Sequence, residues 1–162
     1  MPAVKPLPVR RNARLKNYDY ASNGYYFVTV CAYNNEPNIQ KHQETVEKIL
    51  HSLPEKIPGV KIDYTCLMPA HIHTIFIFNA VKKNLGEVIR IFKALVSKET
   101  GIKDFWQRNY YEHVIRSEGA LLKIREYIQN NPLVQEIKFG QFYENGLTPI
   151  AGRINAAATG IS

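Results

Sequence analysis

The chain has 162 residues, 45% of them hydrophobic and 22% charged, which suits one soluble domain with a full core and excludes a low-complexity chain. Its 21 Lys and Arg against 14 Asp and Glu give +7 and a pI of about 9.4, a balance suited to a polyanionic partner such as nucleic acid. No run approaches the roughly 18 consecutive apolar residues of a membrane span. The basic N-terminus also lacks the apolar core of a secretory signal.

Residues 1–24 read as a basic arm, with Arg10, Arg11, Arg14 and Lys16 clustered ahead of Tyr18-Asp19-Tyr20. Residues 25–33, rich in aromatic and β-branched side chains, predict a strand. Asn34-Asn35-Glu36-Pro37-Asn38 breaks it. Val46, Ile49, Leu50 and Leu53 then recur on one helical face, which predicts a helix over residues 43–53, ended by Pro54 and Pro58-Gly59.

Two more strands follow, at residues 60–67 and 71–78, joined as a hairpin by Met68-Pro69-Ala70. The second is apolar at nearly every position, so it belongs at the centre of a sheet, covered on both faces. Leu85, Val88, Ile89, Phe92, Leu95 and Val96 form the buried stripe of a helix closed by Gly101. Arg90, Lys93 and Lys98 make its basic outer side.

Residues 106–116 read as a loop and then a strand. Phe105 to Tyr111 is a candidate base-stacking stretch, unless its rings are core. Ser117 is placed to cap a last helix that runs to about Asn130 and stops before Pro132. Cys31 and Cys66 sit in strand runs outside any CxxC pair and read as reduced thiols, so a cytoplasmic protein is expected. The small-residue end, Ala156-Ala157-Ala158-Thr159-Gly160, is expected to be disordered.

The order β-α-β-β-α-β-α predicts an α+β, ferredoxin-like antiparallel sheet with an added C-terminal helix on the face left open by the other two. The expected domains are the arm at 1–24, a folded unit at 25–135 and a partly disordered extension at 136–162.

His71 and His73 stand two apart on the central strand, so their side chains share one face and can hold one metal ion between them. Two imidazoles on an otherwise apolar strand need a metal or a hydrogen bond to each ring to offset their burial. On the last helix Leu121, Ile124 and Ile128 point to the core. Tyr127 and Asn131 lie on one flank of that stripe, four residues apart and therefore neighbours. Packed over the histidine face, that helix would bring a phenol and a third polar group to the metal region.

These blocks resemble the single-tyrosine HUH transposases, the insertion-sequence enzymes and their REP-associated relatives in bacteria. His71-Ile72-His73 fits the histidine, bulky hydrophobic, histidine signature, although Ala70 stands where relatives usually carry a polar residue. Phe105-Trp106-Gln107-Arg108-Asn109-Tyr110-Tyr111-Glu112-His113-Val114-Ile115-Arg116 and Tyr127-Ile128-Gln129-Asn130-Asn131-Pro132 are similar to the family's later blocks. Arg14-Leu15-Lys16-Asn17-Tyr18-Asp19-Tyr20, followed by Tyr26-Phe27-Val28-Thr29-Val30, resembles the start of the REP-associated branch.

The resemblance covers residues 10–135 and implies a site: His71 and His73 as metal ligands, Tyr127 as nucleophile and Asn131 as a third ligand. It implies single-stranded or hairpin DNA as partner and Mg2+ or Mn2+ as cofactor, though two imidazoles would also accept Zn2+ or Ni2+. Cleavage and rejoining would pass through a 5′-phosphotyrosine. Arg10, Arg11, Arg14, Lys16, Arg90, Lys93 and Arg108 are the expected DNA contacts. Two alternatives stand beside this reading: a non-catalytic nucleic-acid-binding relative, and a metal-dependent nuclease that does not use the tyrosine. Both a monomer and a homodimer fit the resemblance.

Overall fold

The structure, a computed structural model, describes residues 18–135 and 137–143. Its elements are β1 (Gly24–Ala32), a 3-10 turn (Tyr33–Asn35), α1 (Asn38–Lys41), α2 (Gln43–Lys56), β2 (Val60–Leu67), β3 (His71–Phe78), α3 (Leu85–Thr100), β4 (Trp106–Ile115), α4 (Glu118–Asn130) and a second 3-10 turn (Phe139–Phe142). The strands form one antiparallel sheet in the order β2-β3-β1-β4, the ferredoxin-like arrangement. Two neighbours each and helices on both faces explain why β1 and β3 are almost wholly apolar.

The pleat sorts β1 between two cores. Tyr26, Val28, Val30 and Ala32 face α2 and α3, where Val46, Leu50, Leu53, Val88, Phe92 and Val96 complete the larger core. Tyr25 and Phe27 face the other way, with Ile75 and Ile115, against Leu121, Ile124 and Ile128 of α4. Burial of those three helix side chains contributes about 1.5–3 kcal/mol each to docking α4 on the sheet.

Local signals set the helix ends. Asn84 and Glu87 exchange side-chain and backbone hydrogen bonds of 2.9 and 3.0 Å at the start of α3, a capping box. Gly101, at φ +73°, ends that helix in the left-handed region. Ser117 Oγ accepts from the Ala120 amide at 3.0 Å and starts α4.

Three expectations change. Helix α2 runs through Pro54 to Lys56, because a proline in the last turn removes one hydrogen bond but leaves the Ile57 amide bonded to the Leu53 carbonyl at 2.8 Å; Ile57, before Pro58, is the residue that turns extended. Strand β4 starts at Trp106 with no loop ahead of it in 106–116. Phe105, Trp106 and Tyr110 are core rings, so the expected stacking stretch faces the interior.

The folded unit also continues past residue 135. Ile137, Phe142 and Tyr143 are buried with α4, and Phe139 packs on Phe27 at 5.2 Å. Before β1, Tyr18 and Tyr20 lie against the larger core. The expectation for residues 156–160 falls outside the described residues. No helix among the described residues is long and apolar enough to cross a membrane.

Candidate functional site

Strand β3 carries His71 and His73 on the face covered by α4. Their ring centroids are 4.7 Å apart at 67°. His73 is fully buried, stacked on Phe27 at 5.5 Å, and His71 is nearly so.

Neither ring is left without partners. His73 Nε2 lies 2.6 Å from the carbonyl oxygen of Val134, and its Nδ1 lies 2.8 Å from Thr29 Oγ1. His71 Nε2 lies 2.9 Å from the carbonyl oxygen of Pro132, and its Nδ1 lies 3.3 Å from Gln135 Nε2. A carbonyl only accepts, so Nε2 carries the proton in both rings. Each Nδ1 is then an acceptor, for the Thr29 hydroxyl and for the Gln135 amide. Burial lowers the pKa of His71. Burial and the neighbouring His71 together push His73 down to about 4, so both rings are neutral near pH 7.

The chain just after α4 therefore covers the histidine pair. Gln135 also donates to Asn35 Oδ1 at 3.0 Å, tying that segment to the 3-10 turn after β1. Further along, His113 stacks on Phe139 at 4.0 Å and 7°, and His113 Nε2 lies 2.6 Å from the Tyr143 hydroxyl. At its middle, α4 is held to edge strand β2 by Arg125, whose Nε donates to Asp63 Oδ2 at 2.8 Å while its terminal nitrogen donates to Asp63 Oδ1.

Tyr127 is brought to the histidine face, half-buried, with its ring edge-on to Phe142 at 5.4 Å. Asn131 caps α4, but its exposed amide donates to the Tyr127 carbonyl at 3.0 Å, and Gln135 is the amide beside His71. Arg90 and Arg108 are exposed. Lys93 is not part of a basic outer side: its Nζ donates to the carbonyls of Gln107, Arg108 and Asn109 at 2.8, 3.3 and 3.4 Å, and burial pushes its pKa down to about 8. Arg10, Arg11, Arg14 and Lys16 lie outside the described residues.

The donor set fits a divalent ion on one condition. Among the described residues no three His, Cys, Asp or Glu side chains cluster. An ion would thus rest on two imidazole nitrogens and an amide oxygen. A lone pair appears at each Nε2 only when its hydrogen bond to Pro132 or Val134 opens and its proton shifts to Nδ1 or leaves to solvent.

Comparison with known proteins gives this geometry its family. The model described as "Transposase IS200 like" matches residues 20–131, from ahead of β1 to the cap of α4. The chain belongs to the IS200-like transposase family. His71, His73, Tyr127 and Asn131 all lie within the match, while Gln135 and the covering segment lie beyond it.

An uncharacterized protein of Haemophilus influenzae is 38% identical to this transposase, over 78% of the chain and 90% of its own length. Two solved structures share the fold. A REP-associated tyrosine transposase bound to a REP hairpin superposes with a TM-score of 0.60 at 18% identity, covering 85% of this chain and 89% of that one. A candidate transposase of Deinococcus radiodurans gives 0.50 at 14%, covering 72% and 95%.

Thr29 and Gln135 carry no signal in the sequence taken alone. Thr29 reaches His73 only through the register that pairs the two residues across β1 and β3. Gln135 lies beyond the helix in a stretch without periodicity.

Proposed function

We propose that this transposase binds single-stranded hairpin DNA, and cleaves and rejoins it through a 5′-phosphotyrosine on Tyr127. The observation that carries the proposal is the packing of α4, which sets Tyr127 over the sheet face that holds His71 and His73. The Tyr127 oxygen attacks the scissile phosphorus in line. The new bond is Tyr127 O–P, the bond broken is P–O3′, and the 3′-oxygen leaves and takes up a proton as a hydroxyl. The reverse attack by a 3′-hydroxyl reseals the strand without an external energy source, because the phosphoester is conserved.

His71 and His73 would hold Mg2+ or Mn2+, with Gln135 or Asn131 giving an amide oxygen. The ion, when bound, supplies charge stabilisation at the phosphate. The Thr29 hydroxyl, bonded at Nδ1 from within the neighbouring strand, fixes the orientation of the His73 ring. Arg90 and Arg108 are exposed and suited to phosphate contact, and Arg10, Arg11, Arg14 and Lys16 add positive charge in the sequence ahead of Tyr18. Incubation of labelled hairpin DNA with the protein and Mn2+, followed by a denaturing gel, tests the proposal. A protein–DNA adduct is expected, and free 5′-phosphate ends without an adduct would instead mark a nuclease.

One observation favours a second reading, a hairpin-binding relative that does not cut. Both histidine Nε2 atoms are engaged by the Pro132 and Val134 carbonyls, so the site as it stands offers no lone pair there. That reading predicts tight hairpin binding with no adduct at any Mn2+ concentration.

A further inference from the structure

Alone among the described aromatic residues, Tyr33 is exposed, with 43% of its surface open. Its ring makes no hydrogen bond or ring contact among the described residues. The position is specific. Cys31 pairs with His71 across β1 and β3, and Tyr33 stands two residues further on, where the chain leaves the sheet into the 3-10 turn.

The turn is held firmly at its backbone. The Tyr33 amide donates to the Phe105 carbonyl at 3.0 Å and the Glu36 amide to the Tyr33 carbonyl at 3.1 Å. Asn34 and Asn35 both take left-handed backbone angles, φ 52° and 55°, which non-glycine residues rarely adopt together. The consequence is that Asn35 meets Gln135, whose amide also meets His71. Leu133, 74% exposed, stands two residues before Gln135 just as Tyr33 stands two before Asn35. An open aromatic ring and an open aliphatic side chain thus belong to the two segments that Gln135 joins beside His71.

We propose that Tyr33, on the turn that Gln135 ties to His71, forms a nucleobase subsite beside the cleaved bond, which accepts one unpaired base of the single strand flanking the hairpin. This rests on the reading that His71, His73 and Tyr127 act on single-stranded DNA. A single strand offers unstacked bases, and an exposed tyrosine is a stacking surface for any of them. The exposed Asn34 amide, at the same turn, can bond to a base edge. No core ring can take this part, since Phe105, Trp106 and Tyr110 are buried on the other side of the sheet.

The test uses the full chain and hairpin oligonucleotides with and without a single-stranded flank, carrying 2-aminopurine at each flank position in turn. In the parent protein the emission is expected to be quenched at one position next to the hairpin foot. Tyr33→Ala should restore that emission and weaken binding of the flanked hairpin about tenfold, the size of one base stack. Its affinity for the bare hairpin should not change, and Tyr33→Trp should keep the quenching. Unchanged quenching and affinity in Tyr33→Ala, or an equal loss on the bare hairpin, overturns the subsite while hairpin binding and the Tyr127 adduct still stand. Failure of the parent protein to bind any hairpin overturns the underlying function, and the subsite with it.

Discussion

His73 donates from Nε2 to the carbonyl oxygen of Val134 at 2.6 Å, so that nitrogen is engaged by the protein's own backbone. His71 does the same to Pro132 at 2.9 Å. Loading the pair with Mn2+ must therefore release the chain at residues 132–135. Hydrogen-exchange mass spectrometry is expected to show faster exchange there on addition of Mn2+. Ion binding by calorimetry with unaltered exchange would put the ion elsewhere. The variant with both His71→Ala and His73→Ala should form no adduct. It should also melt lower, because the buried Thr29 hydroxyl and two part-buried carbonyls lose their partners, at a cost of about 1 kcal/mol each.

Stability should fall with acid, and His113 supplies the clearest case. Burial under Phe139, with the Arg116 charge nearby, pushes its pKa down from the usual 6.5 to about 3. Between those two values the unfolded chain binds a proton that the folded chain refuses. The stabilisation is complete above pH 6.5 and is lost progressively as the pH falls toward 3. His71 and His73 shift in the same direction. Thermal melts from about pH 7.5 to about pH 4 should show a falling Tm, and replacement of His113 by Phe should flatten the profile. A Tm that rises on acidification would contradict the buried, neutral state.

Lys93 separates charge that binds DNA from charge that builds the fold. Its three carbonyl contacts at the start of β4 make it a brace between α3 and the sheet. Lys93→Met should cost about 1–2 kcal/mol while the salt dependence of hairpin binding keeps its slope. Arg90→Ala and Arg108→Ala should do the reverse: nearly normal melting, with the slope of log affinity against log salt reduced by about one for each phosphate no longer neutralised. Titrations between about 50 and 200 mM salt resolve the two patterns. An equal change of slope in all three variants would return Lys93 to the DNA surface.

Where local signals and hydrophobic period agree, the elements are legible in the sequence. Residues 71–78 carry both the strand and its central place, and Ser117 and Pro132 bracket α4 to the residue. Legibility fails where a side chain or a segment acts at a distance. A helical wheel turns Lys93 outward, yet its long stem folds back to β4. Pro54 reads as a stop, although the last turn tolerates it. Tyr127 and Asn131 are neighbours on the wheel, but a C-cap amide satisfies its own helix, and the contact with His71 passes to Gln135 from an irregular stretch. Thr29 is one more apolar-run residue until the β1–β3 register sets it against His73.

Tyr127 carries the sharpest test. Its hydroxyl has no hydrogen-bond partner among the described residues, and its ring packs edge-on against Phe142. Tyr127→Phe therefore keeps the packing and should change stability by no more than about 0.5 kcal/mol. Hairpin affinity should survive with it. Of the rival phenols, Tyr110 is buried on the α2 and α3 side, while Tyr111 pairs with Thr29 across β1 and β4 and so shares the histidine face, but with its hydroxyl buried. On a denaturing gel the parent protein should carry labelled DNA and Tyr127→Phe should carry none. Mass spectrometry of the digested adduct should place the phosphotyrosine on the peptide containing residue 127. An adduct of full intensity in Tyr127→Phe would move the nucleophile to another residue. Its absence from both proteins, with hairpin binding intact, would leave the capped histidine pair as the mark of a protein that holds DNA without cutting it.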